Sequence, residues 1–191
     1  KIDITDLGQR QAMETGGALR HYFGVFDYAY HSGYIRTERT LTELLEAYPK
    51  KERVRTKIKQ NLFIRERDPG YAYDMTKKEA RKNFPWFQEY WDTFGGFLAH
   101  PPGGESLAQV AERVYLFLNM LFRDRGGKKI LVVTHGGTLR CFRFLLERWT
   151  YDQALHWKPG ERPENCGVTT YRYSEKEKRL CQSCKSSVTR N

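Results

Sequence analysis

The stretch LVVTHGGTLR, Leu131 to Arg140, puts a titratable ring where an apolar run stops and two glycines begin. Ile130 to Val133 is short, β-branched and bounded upstream by Arg125-Gly126-Gly127, which predicts a buried strand. Thr138 to Trp149 carries Leu139, Phe142, Leu145 and Leu146 at helical spacing, so His135 falls at a strand-to-helix crossing. Gly136 and Gly137 let the backbone turn tightly there and bring main-chain N–H groups toward a ligand. The start of the helix adds partial positive charge. Such a corner suits an anion, and in open α/β sheets ligands collect outside the carboxyl ends of the strands. Taken alone, the decapeptide fits equally a histidine that only caps or packs at a turn.

The elements that would position this corner alternate along the chain. Thr5-Asp6-Leu7-Gly8 reads as a helix start, followed by an amphipathic run through Ala12, Thr15, Leu19 and Phe23. Val25 to Tyr30 reads as a strand and Thr37 to Tyr48 as a helix with Leu41, Leu44 and Leu45 on one face. Asn61 to Ile64 reads as a short extended piece leading into the charged loop RERDPG. Two short helices are expected over Thr76 to Phe84 and Pro85 to Phe94, then a long one from Glu105 to Arg125 with Val110, Val114, Phe117, Leu118 and Leu121 inward. Asn165 to Tyr173 reads as one more strand, and residues 174–191 as a polar tail. Strands alternating with helices predict a single α/β domain, three layers α/β/α around a largely parallel sheet.

Composition narrows the function classes. The 191 residues suffice for one domain with a substantial core. No apolar run approaches a membrane span and KIDITDLGQRQ lacks a signal-peptide core, so a soluble, cytoplasmic protein is expected, with no membrane partner. The formal charge of +10 favours anionic partners. Its carriers, in KKERVRTKIK, TKKEARK and SEKEKR, are dispersed among acids, and no basic stripe interleaved with aromatics predicts nucleic-acid binding. Cys181 and Cys184 have metal-ligand spacing, but no second pair or histidine cluster completes a site, so no metal is expected.

Four stretches in order resemble the signature of the histidine phosphatase superfamily, which includes the phosphoglycerate mutases: ITDLGQRQA, SGYIRTERT, IRERDPG, and PPGGES followed by VVTHGG. The resemblance implies a phosphoglycerate mutase-like fold and a small phosphorylated substrate hydrolysed through a phosphohistidine, with no cofactor. It also implies a nucleophilic histidine in an Arg-His-Gly motif at the end of a first strand, ahead of Ile4 to Ala12. That motif does not occur in residues 1–191. Arg20-His21-Tyr22 follows the ITDLG stretch instead of preceding it and has tyrosine where the motif needs glycine.

By the same resemblance Arg36, His135 and Gly136 bind the phosphoryl group and Glu66 is the acid. The chemistry agrees with these residue types. A transferring phosphoryl group spreads charge over its oxygens, and a planar, permanently charged guanidinium can hold two of them. A monoester alkoxide leaves poorly, so a carboxylic acid must deliver a proton and then, as carboxylate, activate water. Arg36 could instead open a helix in a salt bridge, and Asp68 is an acidic neighbour of Glu66. Glu105 is expected to cap the long helix. His31 is expected to be packing or surface, and His100 and His156 carry no assignment. The segment between Glu66 and Gly103-Gly104 is short and lacks the Gly-Leu-Asn-Lys of the family's mutases, which favours the phosphatase branch. A mutase, or a non-catalytic member that binds a phosphorylated ligand or acts as a scaffold, are the alternatives.

Overall fold

In the computed structural model, which describes residues 2–156, 162–176 and 179–184, Ile130–Val133 forms the strand called β3 here and pairs in parallel with β1, Tyr28–His31. On its other side β1 pairs in parallel with β2, Lys57–Gln60, giving the order β2-β1-β3. Alternation along these strands sorts the core into two layers. Tyr30 and Val132 face Val110, Val114 and Phe117 of α6, Leu107–Asp124, together with Phe142 of α7, Gly136–Glu147. Ala29, Leu131 and Val133 face Ala12 and Leu19 of α1, Asp6–Phe23, and Leu41, Leu44 and Leu45 of α2, Ile35–Glu46. Helices on both faces of a parallel sheet are the expected three-layer arrangement.

The start of α1 follows from its cap, where the Thr5 hydroxyl accepts from the Gly8 N–H at 3.2 Å. Gly16 lets α1 and α2 meet closely, because a β-carbon there would collide with the Leu44 carbonyl oxygen. Thr76 and Ser106 close reciprocal capping boxes with Glu79 and Gln109, starting α4, Lys77–Asn83, and α6. Between them lies α5, Phe87–Leu98, and after α7 comes α8, Tyr151–Leu155. A short α3, Lys50–Arg53, precedes β2.

Several expectations need correction. The extended piece at Asn61 to Ile64 is a 3-10 turn over Leu62–Ile64, capped by the Asn61 side chain, and the strand precedes it as β2. All four residues of β2 are exposed, so this edge strand carries no apolar pattern to read. The polar tail is also wrong for part of its length: Arg179–Cys184 is β5, paired antiparallel with β4, Thr170–Ser174. Residues 185–191 lie outside the described set.

A cleft of about 1550 Å³ runs beside β3. Its lining includes Ile130 to Val133, Thr170 to Tyr173, Leu7 and Leu19 of α1, and Leu139 and Phe142 of α7. Every residue of β3 is only half-buried, although the strand lies between two helical layers.

Candidate active site

His135 is the N-cap residue of α7, with extended backbone at φ −125° and ψ 163°, so its ring leaves the chain where β3 ends. The residue is 8% exposed and both ring nitrogens are engaged. Nδ1 accepts from Arg36 Nε at 3.2 Å, and Nε2 lies 2.8 Å from Ser32 Oγ. The remaining bonds fix the proton positions. Thr37 Oγ1 donates to the Tyr34 carbonyl at 2.8 Å, so at its 2.8 Å contact with Ser32 it must accept. Ser32 therefore donates to Thr37 and accepts from His135, which carries its proton on Nε2.

This neutral tautomer agrees with the electrostatics. Burial, then the charge of Arg36, then that of Arg113, pushes the His135 pKa down to about 3. The unfolded chain takes up a proton here near 6.5, whereas the folded chain resists until about 3. His135 thus costs about 1.4 kcal/mol of stability for each pH unit below that upper value, and the penalty levels off near the lower one. Urea-unfolding midpoints measured from neutral pH downward should fall less steeply for His135→Gln than for the parent. Parallel slopes would show that the histidine does not titrate this way.

Arg36 sits in the first turn of α2, with its guanidinium carbon 4.8 Å from the centroid of the Tyr34 ring. Only Nε has a hydrogen-bond partner among the described residues, which leaves both Nη groups to take two oxygens of one anion. The sequence alternative, an arginine tied up in a salt bridge, does not hold for the described residues. Tyr34 packs edge-on to His135 at 5.1 Å between centroids, so one tyrosine steadies both groups. Gly136 is the first residue of α7, and the opening N–H groups of a helix have no intrahelical acceptor.

Glu66 lies on the wall of the same cleft as Arg36, His135 and Gly136. Its Oε1 accepts from the Arg67 N–H at 2.8 Å and would stand 2.6 Å from a β-carbon at position 137. The second glycine of the HGG corner therefore admits the carboxylate. Asp68 is exposed and does not line the cleft, and its Oδ1 accepts from the Gly70 N–H at 2.9 Å. Geometry thus separates two acids that the sequence left close.

The expected cap role of Glu105 is incorrect, since Ser106 caps α6. Glu105 instead pairs with Arg113, whose Nε and Nη2 donate to its carboxylate at 3.0 Å each. Burial raises the Glu105 carboxyl, but the Arg113 hydrogen bonds and the Asp68 N–H outweigh it and hold the group below its ordinary range. Arg113 had no place in the sequence reading. Its signal was an arginine on the apolar face of α6, between Val110 and Val114, where a cation must be buried and paired.

None of the other four histidines lines the cleft. His21 is exposed at the end of α1, whose last carbonyl, that of Phe23, accepts from Lys129 at the start of β3, opposite the His135 end. His31 is 7% exposed, in keeping with packing, and His156 ends α8. Among the described residues no group of three or more His, Cys, Asp or Glu side chains could hold a metal ion. No described helix is long and apolar enough to cross a membrane.

The family model of the histidine phosphatase superfamily (branch 1) matches residues 1–184. The chain belongs to that superfamily. Among its relatives, the 2,3-bisphosphoglycerate-dependent phosphoglycerate mutase of Sinorhizobium fredii is 35% identical over 157 residues, which are 81% of this chain and 72% of the relative. The protein of the same name in Rhizobium etli is 33% identical over 158 residues, 80% and 72% of the two chains. The fold of YhfR from Bacillus stearothermophilus superposes with a TM-score of 0.75 at 19% identity, covering 94% of this chain and 82% of that one. A mycobacterial glucosyl-3-phosphoglycerate phosphatase in complex with inorganic phosphate superposes at 0.72 with 18% identity, covering 95% and 86%. This member of the superfamily therefore has relatives named as mutases and fold neighbours named as phosphatases.

Proposed function

We propose that this histidine phosphatase superfamily member is a phosphomonoesterase of the phosphatase branch, acting on a small phosphorylated metabolite through a phosphohistidine. The observation that carries the reading is the Arg36 to His135 contact of 3.2 Å, with Glu66 on the wall of the same cleft. In this reading the Nη groups of Arg36 hold two phosphoryl oxygens, and His135 and the Gly136 N–H take the third. Those donors stabilise charge that grows in the transition state. Glu66 protonates the departing alkoxide, and its carboxylate then takes a proton from the water that attacks phosphorus. As the phosphoryl dianion enters it offsets the Arg36 charge and raises the pKa of His135; protonation at Nδ1 then exchanges its hydrogen bond from Arg36 Nε for one donated to a phosphoryl oxygen.

The nucleophile is expected on a strand encoded ahead of Ile4 in the full-length protein. This fits the geometry at β3, whose second edge has no partner strand among the described residues: one extended strand laid parallel to it in the cleft would end beside His135.

The mutase alternative has the names of the sequence relatives in its favour. Against it stands the short segment between Glu66 and Gly104, which here is occupied by α4 and α5 and lacks the mutase insert. The two readings part in one assay. With full-length protein, release of inorganic phosphate from phosphomonoesters is expected, without interconversion of 3- and 2-phosphoglycerate when 2,3-bisphosphoglycerate is supplied. Rapid interconversion would transfer the protein to the mutase branch, and neither activity would favour a non-catalytic ligand-binding role.

A further inference from the structure

Phe63, Ile64, Arg65 and Glu66 are consecutive, and each of their carbonyl oxygens accepts from a side chain of another element. Arg113 Nη1 donates to Phe63 at 2.6 Å, Thr134 Oγ1 to Ile64 at 2.8 Å, Thr138 Oγ1 to Arg65 at 2.6 Å and Arg113 Nη2 to Glu66 at 3.2 Å. Thr134 and Thr138 bracket His135 in sequence, and Arg113 is anchored by Glu105. A segment with little regular structure is thus clipped, one carbonyl after another, to the corner that carries His135. Such a segment would otherwise be free to shift by an ångström, which is enough to spoil proton transfer.

We infer that Thr138 is a positioning residue for Glu66: its hydroxyl, held on the first turn of α7, sets the distance between the Glu66 carboxyl and the phosphoryl site. The inference rests on the acid role proposed above and goes beyond it by tying the acid to a buried threonine that touches no substrate. Thr138 is fully buried and its Oγ1 faces the Arg65 carbonyl, one residue from the acid. Valine has the same shape without the hydroxyl, so Thr138→Val removes this one anchor while Arg113 and Thr134 keep theirs. Thr138→Ser restores the hydroxyl.

The test compares full-length parent, Thr138→Val, Thr138→Ser, Glu66→Gln and the double variant on two substrates. One is β-glycerophosphate, whose alkoxide needs a proton to leave, and the other is p-nitrophenyl phosphate, whose phenolate does not. Thr138→Val is expected to lose about tenfold more kcat/KM, which reports the phosphorylation step, on the glycerophosphate than on the nitrophenyl ester. Thr138→Ser should recover most of that difference, and in the Glu66→Gln background the valine should add almost none. Equal losses on both substrates would mean that Thr138 acts through His135 or the fold, and no loss would mean that the anchor is idle. Either result overturns the inference while a selective Glu66→Gln leaves the proposed function standing. If Glu66→Gln is itself unselective, the acid role fails and this inference with it.

Discussion

Full-length protein carrying Arg36→Ala should turn over phosphomonoesters about 10²- to 10³-fold more slowly, with most of the loss in kcat. The size follows from what the side chain is placed to do. Its two Nη groups have no hydrogen-bond partner among the described residues, and the Tyr34 ring and His135 hold the guanidinium in one orientation. Donors fixed before the reaction stabilise the transition state without reorganising, and charge on the phosphoryl oxygens is what they meet. The substitution has a second, independent signature. Arg36 is one of the two positive charges that depress the His135 pKa, so without it that pKa should rise from about 3. A proton titration of the ring by NMR reads this in the absence of any substrate. Unchanged turnover would remove Arg36 from the site, and an unmoved histidine would mean that the 3.2 Å contact carries no charge coupling.

Glu66→Gln should lower kcat/KM for alkyl phosphates, which reports the phosphorylation step alone, by about 10²- to 10⁴-fold while costing much less kcat/KM on p-nitrophenyl phosphate. Glutamine keeps the carbonyl oxygen that accepts from the Arg67 N–H, and it is no larger beside Gly137, so the fold has little reason to respond. What it lacks is a proton to give. The second half-reaction should suffer on either substrate, because an amide cannot activate water, and phosphoenzyme should accumulate in rapid-quench samples with the nitrophenyl ester. Equal loss of the first step on both leaving groups would argue that Glu66 only shapes the pocket.

How much of this arrangement could be read in the residues differs from place to place for physical reasons. The His135 corner was legible because every signal for it is local: a β-branched run, two glycines and a helical period in succession. The Ser32 to Thr40 stretch was legible as a family pattern, although Ser32 proves to bond His135 itself, a contact 103 positions away in sequence. Arg113 and the two threonines escaped because their partners lie on the Glu66 segment, 47 to 73 positions away, and nothing in the residues between encodes that meeting. Glu105 was misread by a sound local rule. A carboxylate beside a helix start is a fair cap, but Ser106 supplied the cap and freed Glu105 for Arg113. β2 was invisible because an edge strand exposed along its whole length needs no apolar alternation.

The most direct test of the phosphate cradle uses full-length protein with ¹⁵N-labelled histidine, titrated with orthovanadate at neutral pH. His135 is expected to go from a neutral ring protonated on Nε2 to a protonated imidazolium at one equivalent of bound vanadate. Arg36→Ala is expected to weaken that binding by at least about tenfold. Vanadate that binds with the His135 nitrogens unchanged, or with the same affinity in the Arg36→Ala variant, would contradict the cradle.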